Sequence, residues 1–174
     1  MPAVTFTVES DAVQGADWRE GIAELVDLFR SYPDLLDVAR TTGGRREAST
    51  GKDPAAAAKR LTLMETLPEV TETGLWGVSR WGEFTWGGPE DQERMDKVQA
   101  ALWPDKKAPP DLSEANDALN LATHLKYQRD HFVTTDKQVH KASDKLKVLG
   151  IHVVTPSQAA TLARSICEAK AESS

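Results

Sequence analysis

Asp117 and Asp136 bracket a run that reads as helix, then strand. Asp117 comes early in a helical pattern, after two potential caps, Asp111 and Ser113, and Asp136 follows a short β-rich run and precedes a second helix. Taken singly, each has an ordinary explanation. An acid in a helix's first turn is favoured by the macrodipole, and an Asp before a helix is a good N-cap. Taken together they suggest more. The helix runs antiparallel to the strand that follows, so its N-terminus approaches the strand's carboxyl end and both acids can face one crevice. Neighbouring carboxylates repel, and Mg²⁺ or Mn²⁺, which prefer oxygen ligands, relieve that repulsion. With a phosphate ester present, such an ion activates water and neutralises charge on the leaving oxygen. This chemistry needs further acids. Glu9, at the carboxyl end of a first strand, is the best candidate, and Glu47, after the Gly43-Gly44 turn, is next.

The elements that must position these acids follow from periodicity. Val4, Phe6 and Val8 alternate with Thr5 and Thr7, which predicts a strand ending at Glu9-Ser10-Asp11. A helix beginning near Asp17 would carry Trp18, Ile22, Leu25, Val26 and Phe29 on one stripe, with Pro33 as its stop. Asp37–Thr42 is read as a second strand, Ala55–Leu67 and Glu90–Trp103 as helices, and Pro104–Pro110 as a break. Ala118, Leu119, Leu121, Ala122 and Leu125 recur at helical spacing before the strand that begins at Phe132-Val133. A helix with Val139, Ala142, Leu146 and Leu149 on one side follows, Gly150 is placed as its left-handed cap, and Ile151–Val154 is the next strand. Ser157–Ala169 closes the chain as a helix. Strand–helix–strand units of this length join parallel neighbours by right-handed crossovers, and ligands then sit outside the strands' carboxyl ends. The expected fold class is α/β: three layers, α/β/α, around a mainly parallel twisted sheet, in a single domain over residues 1–174 with a Trp/Gly-rich insertion around 72–110.

That insertion contains Trp76-Gly77, Trp81-Gly82 and Trp86-Gly87. One reading is a loop or small hairpin whose indoles cover a core edge; the other is a set of stacking platforms for bases beside Arg80. Composition narrows the function. With 21 Lys and Arg against 27 Asp and Glu, the formal charge of −6 argues against a broad electrostatic grip on nucleic acid, though not against a local basic rim. Arg40, Arg45, Arg46 and Lys52 could form one; Lys137, Lys141, Lys145 and Lys147 read mainly as a solvated face. Cys167 stands alone, so no internal disulfide forms and a reducing cytoplasm is the expected location. The chain shows no signal peptide pattern and no apolar run long enough to span a bilayer. His124, His131, His140 and His152 lack zinc spacing, and phosphate-loop and nucleophile motifs are absent.

The run from Asn116 to Pro156, with FVTTD and then GIHVVTP, resembles the C-terminal half of a PIN domain. That family is a parallel-sheet nuclease fold whose acids bind Mg²⁺ or Mn²⁺, and its members include RNA-cleaving toxins of toxin–antitoxin pairs. The resemblance aligns Asp117 with the family's helix-borne Asp and Thr134 and Asp136 with its Thr-x-Asp. Glu9-Ser10-Asp11 stands where the family has Asp-Thr-Asn, and Glu47 fits the second-motif Glu by position. It implies catalytic roles for Glu9, Glu47, Asp117 and Asp136, metal ligation by Glu9, Asp117 and Asp136, and support from Asp11 and Thr134. It also implies an RNA substrate guided by Arg45, Arg46 and Lys137, with an antitoxin protein or a second copy of the chain as partners. The Glu at position 9 is a methylene longer than the family's Asp. The competing expectation is therefore a PIN-like interaction or nucleic-acid-binding module without chemistry. A small-molecule binder at the sheet edge is the third.

Overall fold

The computed structural model describes residues 2–14, 17–49, 53–74, 79, 84–85 and 87–172. In chain order the elements are β1 (Val4–Val8), a 3-10 turn (Ser10–Ala12), β2 (Val13–Gln14), β3 (Asp17–Trp18), α1 (Ile22–Ser31), β4 (Leu36–Thr41), α2 (Thr42–Ala48), α3 (Pro54–Met64), β5 (Glu69–Val70), β6 (Glu72–Thr73), β7 (Phe84–Thr85), α4 (Pro89–Leu102), α5 (Leu112–Lys126), β8 (His131–Val133), α6 (Lys137–Lys141), α7 (Ser143–Val148), β9 (His152–Val154) and α8 (Pro156–Glu172).

Five strands lie side by side in the order β5-β4-β1-β8-β9, and each neighbouring pair is parallel. Parallel strands cannot be closed by a two-residue turn, so helices must cross between them and cover both faces. Period-two alternation sorts the side chains. Phe6, Val8, Val38 and Val133 join Ile22, Leu25 and Val26 of α1 and Ala159, Ala163 and Cys167 of α8 in one core. Phe132 joins Leu119 and Leu121 of α5, Met95, Val98 and Leu102 of α4, and Leu146 of α7 in the other. The architecture is three-layer α/β/α, as expected. Among the described residues no helix is long and apolar enough to cross a membrane.

Local signals explain the element ends. Asp53 caps α3 through the Ala55 and Ala56 amides, with Pro54 at the first turn. Asp111 and Glu114 form a capping box that starts α5, ahead of Asp117. Gly150, at φ 94°, ends α7; its N–H bonds Lys147 O and the Ile151 N–H bonds Leu146 O, which satisfies the last carbonyls.

Two expected elements differ. The helix expected from Asp17 begins only at Ile22, because Asp17–Trp18 pairs antiparallel with Val13–Gln14 as a small hairpin. The chain leaves that hairpin through Gly21 at φ 91°, where a Cβ would lie 2.6 Å from the Pro156 carbonyl oxygen. The helix expected after Asp136 is broken at Ala142 (φ −90°, ψ 2°) into α6 and α7. Within the Trp-Gly stretch, Trp76, Trp81, Trp86 and Arg80 lie outside the described residues. The short strands on either side of most of it, β6 and β7, pair parallel and so do not form a hairpin. The rest of the 72–110 stretch is tied to the body of the fold, since α4 supplies Met95, Val98 and Leu102 to the second core.

Candidate functional site

The order of the sheet creates the crevice. The chain builds leftwards from β1 to β4 and β5, then returns to the other side of β1 for β8 and β9. At such a reversal the connections leave β1 and β8 in opposite directions and open a cleft beyond their carboxyl ends. Glu9 and Asp11 follow β1 there; Thr134, Thr135 and Asp136 follow β8. Glu47 comes from α2, whose N-terminus is capped by Thr41 at the end of β4. Asp117 comes from the first half of α5, which packs back over the sheet and so brings this end to the same edge.

The strand-end residues interlock. Glu9 is only 4% exposed, and its Oε2 accepts from the Thr134 hydroxyl. The same hydroxyl oxygen accepts the Asp136 N–H at 2.9 Å and lies 3.2 Å from Asp11 Oδ2. Asp11 Oδ2 also accepts the Thr135 N–H at 2.6 Å and the Thr135 hydroxyl. Asp136 Oδ1 caps α6 by accepting the Gln138 and Val139 amides at 2.6 and 2.8 Å. Glu47 Oε2 accepts the Ser10 hydroxyl at 2.9 Å and the Asn120 amide at 3.4 Å. Glu9 Oε1 and Asp11 Oδ1 are buried with no hydrogen-bond partner among the described residues.

Acids distant in sequence therefore feel one another. Burial pushes the Glu9 carboxyl well above the usual carboxylate range; the charges of Asp11 and Glu47 add to this, the Thr134 bond opposes it, and Asp117 adds further. Burial likewise raises Glu47, against the stabilising Ser10 bond, the Arg46 charge and the Asn120 bond, with Asp11 adding repulsion. Asp117 is pushed up to about 7 by its partial burial, then by Glu47, Asp136, Asp11 and Asp111. Deprotonated, this set is a concentrated negative field whose hydrogen-bond donors are mainly neutral hydroxyls and amides. Its hard oxygen atoms, two of them buried and unpartnered, fit a small divalent cation in kind and charge. Among the described residues no three acidic, imidazole or thiol groups are drawn together closely enough to form a ready-made metal shell. The acids share a field without yet sharing a point.

The cations expected to guide a phosphate chain are placed unequally. Arg46 is buried, donates to both carboxylate oxygens of Glu72 at 2.9 and 3.2 Å, and reaches Asn116 Oδ1 at 3.1 Å. Arg40 is buried against Glu69 and the Met64 carbonyl, and Arg45 lies 3.4 Å from the same Glu69. Lys137 is exposed at the start of α6, next to Asp136, and Lys52 lies outside the described residues. His124 Nδ1 and the Thr7 hydroxyl are hydrogen-bonded at 2.9 Å. His140 Nε2 is 2.9 Å from the Thr134 carbonyl oxygen and so braces the strand end.

Sequence reasoning overlooked Ser10 as a partner of Glu47, and Asn116 and Asn120 on either side of Asp117. A signal for the asparagines was present. Asparagine is a poor helix former, and two spaced i, i+4 on an Ala- and Leu-rich helix imply a polar contact on that face. No protein-family model matches this chain, and comparison with curated proteins finds no match.

Proposed function

We propose that this chain is a metal-dependent phosphodiesterase of PIN type that hydrolyses RNA. The observation that carries the reading is the gathering of Glu9, Asp11, Glu47, Asp117 and Asp136 at the sheet's switch point, with two buried carboxylate oxygens lacking partners among the described residues. Glu9, Asp117 and Asp136 would hold Mg²⁺ or Mn²⁺, and Glu47 would complete or support the set. When bound, the ion would supply Lewis-acid chemistry, acidifying a water and offsetting charge on the phosphate. The chain's own groups do the rest. Thr134 fixes Glu9 through its hydroxyl proton and ties the Asp136 backbone to the same oxygen. Asp11, held by Thr135, locks β1 to the end of β8 so that these acids keep their spacing. Asp117, raised to about 7, is partly protonated near neutral pH and would have to be deprotonated to hold the ion. Lys137 stands at the rim where a phosphate backbone would pass.

The direct test is cleavage of single-stranded RNA in Mn²⁺ by the wild-type chain and by Asp136→Asn. Activity in the first and its loss in the second is expected; full activity in the variant rejects the assignment.

One observation favours a second reading, a PIN-like interaction module without chemistry. Asp136 spends one oxygen on capping α6 and Asp11 spends one on Thr135, so two of the acids already have structural work. An intact fold with no heat of Mn²⁺ binding is the result expected of that module, and stoichiometric binding is the result expected of the nuclease.

A further inference from the structure

Repulsion among the acids raises the question of what keeps the helix-borne Glu47 from swinging away. The acids that feel it follow β1 (Glu9 and Asp11) or sit on α5 (Asp117), and it rides on a separate short helix, α2. The side-chain hydrogen bonds between α2 and α5 are polar and partly buried.

Asn120 lies at their centre and is 1% exposed. Its Oδ1 accepts the Thr41 hydroxyl at 2.6 Å, and its Nδ2 donates to Glu47 Oε2 at 3.4 Å. The two ends of the carboxamide are not interchangeable here. Thr41 Oγ1 accepts the Gly44 N–H at 2.9 Å and gives its own proton to the Asn120 carboxamide oxygen. Glu47 as a carboxylate can only accept, so it must meet the NH₂ group. Gly43 makes the approach feasible: a Cβ there would lie 2.5 Å from Asn120 Oδ1 and 3.0 Å from Glu72 Oε2. One turn away, Arg46 joins the same two helices by reaching Asn116 Oδ1 at 3.1 Å while paired with the buried Glu72. Position 117 lies between the two asparagines on α5.

We infer that Asn120 is a positioning residue: oriented by Thr41 and admitted by Gly43, its amide holds the Glu47 carboxylate in the acid cluster, and Arg46 with Asn116 fixes the spacing of the two helices that bear Glu47 and Asp117. The inference deepens the nuclease reading and rests on it for the purpose of the clamp, though not for its existence.

Two measurements on the full chain separate these. In ¹H–¹⁵N spectra without metal, Glu47→Ala is expected to move the Asn120 side-chain amide pair and speed its exchange with solvent; an unmoved pair overturns the clamp. By calorimetry, Asn120→Ala is expected to weaken Mn²⁺ binding about tenfold, the size usual for an outer-shell partner, and to add nothing in a Glu47→Ala background. Equal losses in both backgrounds also overturn it. Asn120→Asp keeps the shape and the Thr41 bond but sets a charge against Glu47, and is expected to weaken Mn²⁺ binding more than Asn120→Ala; binding at wild-type strength counts against the clamp. A wild-type chain that takes up no Mn²⁺ sinks the nuclease reading, and the spectra then decide the role of Asn120 by themselves.

Discussion

The two ends of the parallel sheet treat charge in opposite ways. At the amino end Arg129, 7% exposed, donates to Asp37 Oδ2 at 2.9 Å and to the Phe6 and Asp37 carbonyls at 2.9 and 2.8 Å. Beside it Asp130 accepts the Thr5 amide and hydroxyl, both at 2.8 Å, which holds its carboxyl below the usual range despite some burial. At the carboxyl end Glu9, Glu47 and Asp117 face other acids, and all three are raised. One edge pairs its charge and pins three strands together. The other keeps like charges close, an arrangement that costs stability and so invites a functional explanation.

Substitutions can break or sharpen this contrast. The largest effect is expected at Arg129. Arg129→Ala strips two backbone carbonyls and Asp37 of their donor and should destabilise by ~3 kcal/mol, read as a lower urea midpoint at unchanged slope. Glu9→Gln should act with the opposite sign, because folding then no longer has to bury or protonate a carboxylate crowded by Asp11 and Glu47. The metal-free protein should gain about 1 kcal/mol, while Mn²⁺ binding falls at least tenfold. If both substitutions destabilise alike, the contrast between the edges is lost.

Acidity gives a third comparison. The folded Asp117 binds its proton more tightly than the unfolded chain does, so the stability linked to that proton is present at low pH and is lost as pH rises through about 7. Relative to Asp117→Asn, the metal-free wild type should therefore gain Tm as pH falls from 8 to 6. Glu9 and Glu47, also raised, act in the same direction, whereas His124 and His131, held neutral by burial, act against it as the unfolded imidazoles gain protons near 6.5, so the difference between wild type and Asp117→Asn is what isolates Asp117. The smallest effect is expected at Gly43. Helix propensity alone favours Gly43→Ala by up to ~1 kcal/mol, but the close approach of Asn120 should reverse the sign to a loss of about 1 kcal/mol. A thermal scan showing stabilisation would mean that Asn120 can step aside without cost.

The final third of the chain was the most readable, for physical reasons. Leu119, Leu121, Ala122, Phe132 and Leu146 are buried where their spacing placed them, and Asp111, Asp136 and Gly150 begin and end helices by short-range bonds that sequence displays directly. Val4–Val8 was legible for the same reason, since alternation is a local property. Trp18 was misread because its apolar ring suits a helical stripe equally well, and only pairing with Val13 sets it in a hairpin. The inward turn of Arg46 was hidden because Glu72, its partner, is a long-range choice. The acids could be named from residue type, but the hydrogen bonds that orient them join residues as much as 125 positions apart.

That separation bears on how the molecule comes into being. β1 can pair with β4 soon after both leave the ribosome, yet its other side stays bare until His131–Val133 has been made. Such high contact order slows folding and leaves an open strand edge on the nascent polypeptide. It also keeps Glu9 and Glu47 away from Asp136 for most of synthesis, so the electrostatic penalty falls due only when the last strands dock. A proteolytic fragment that stops within α4 would retain the first two acids and have no crevice in which to gather them.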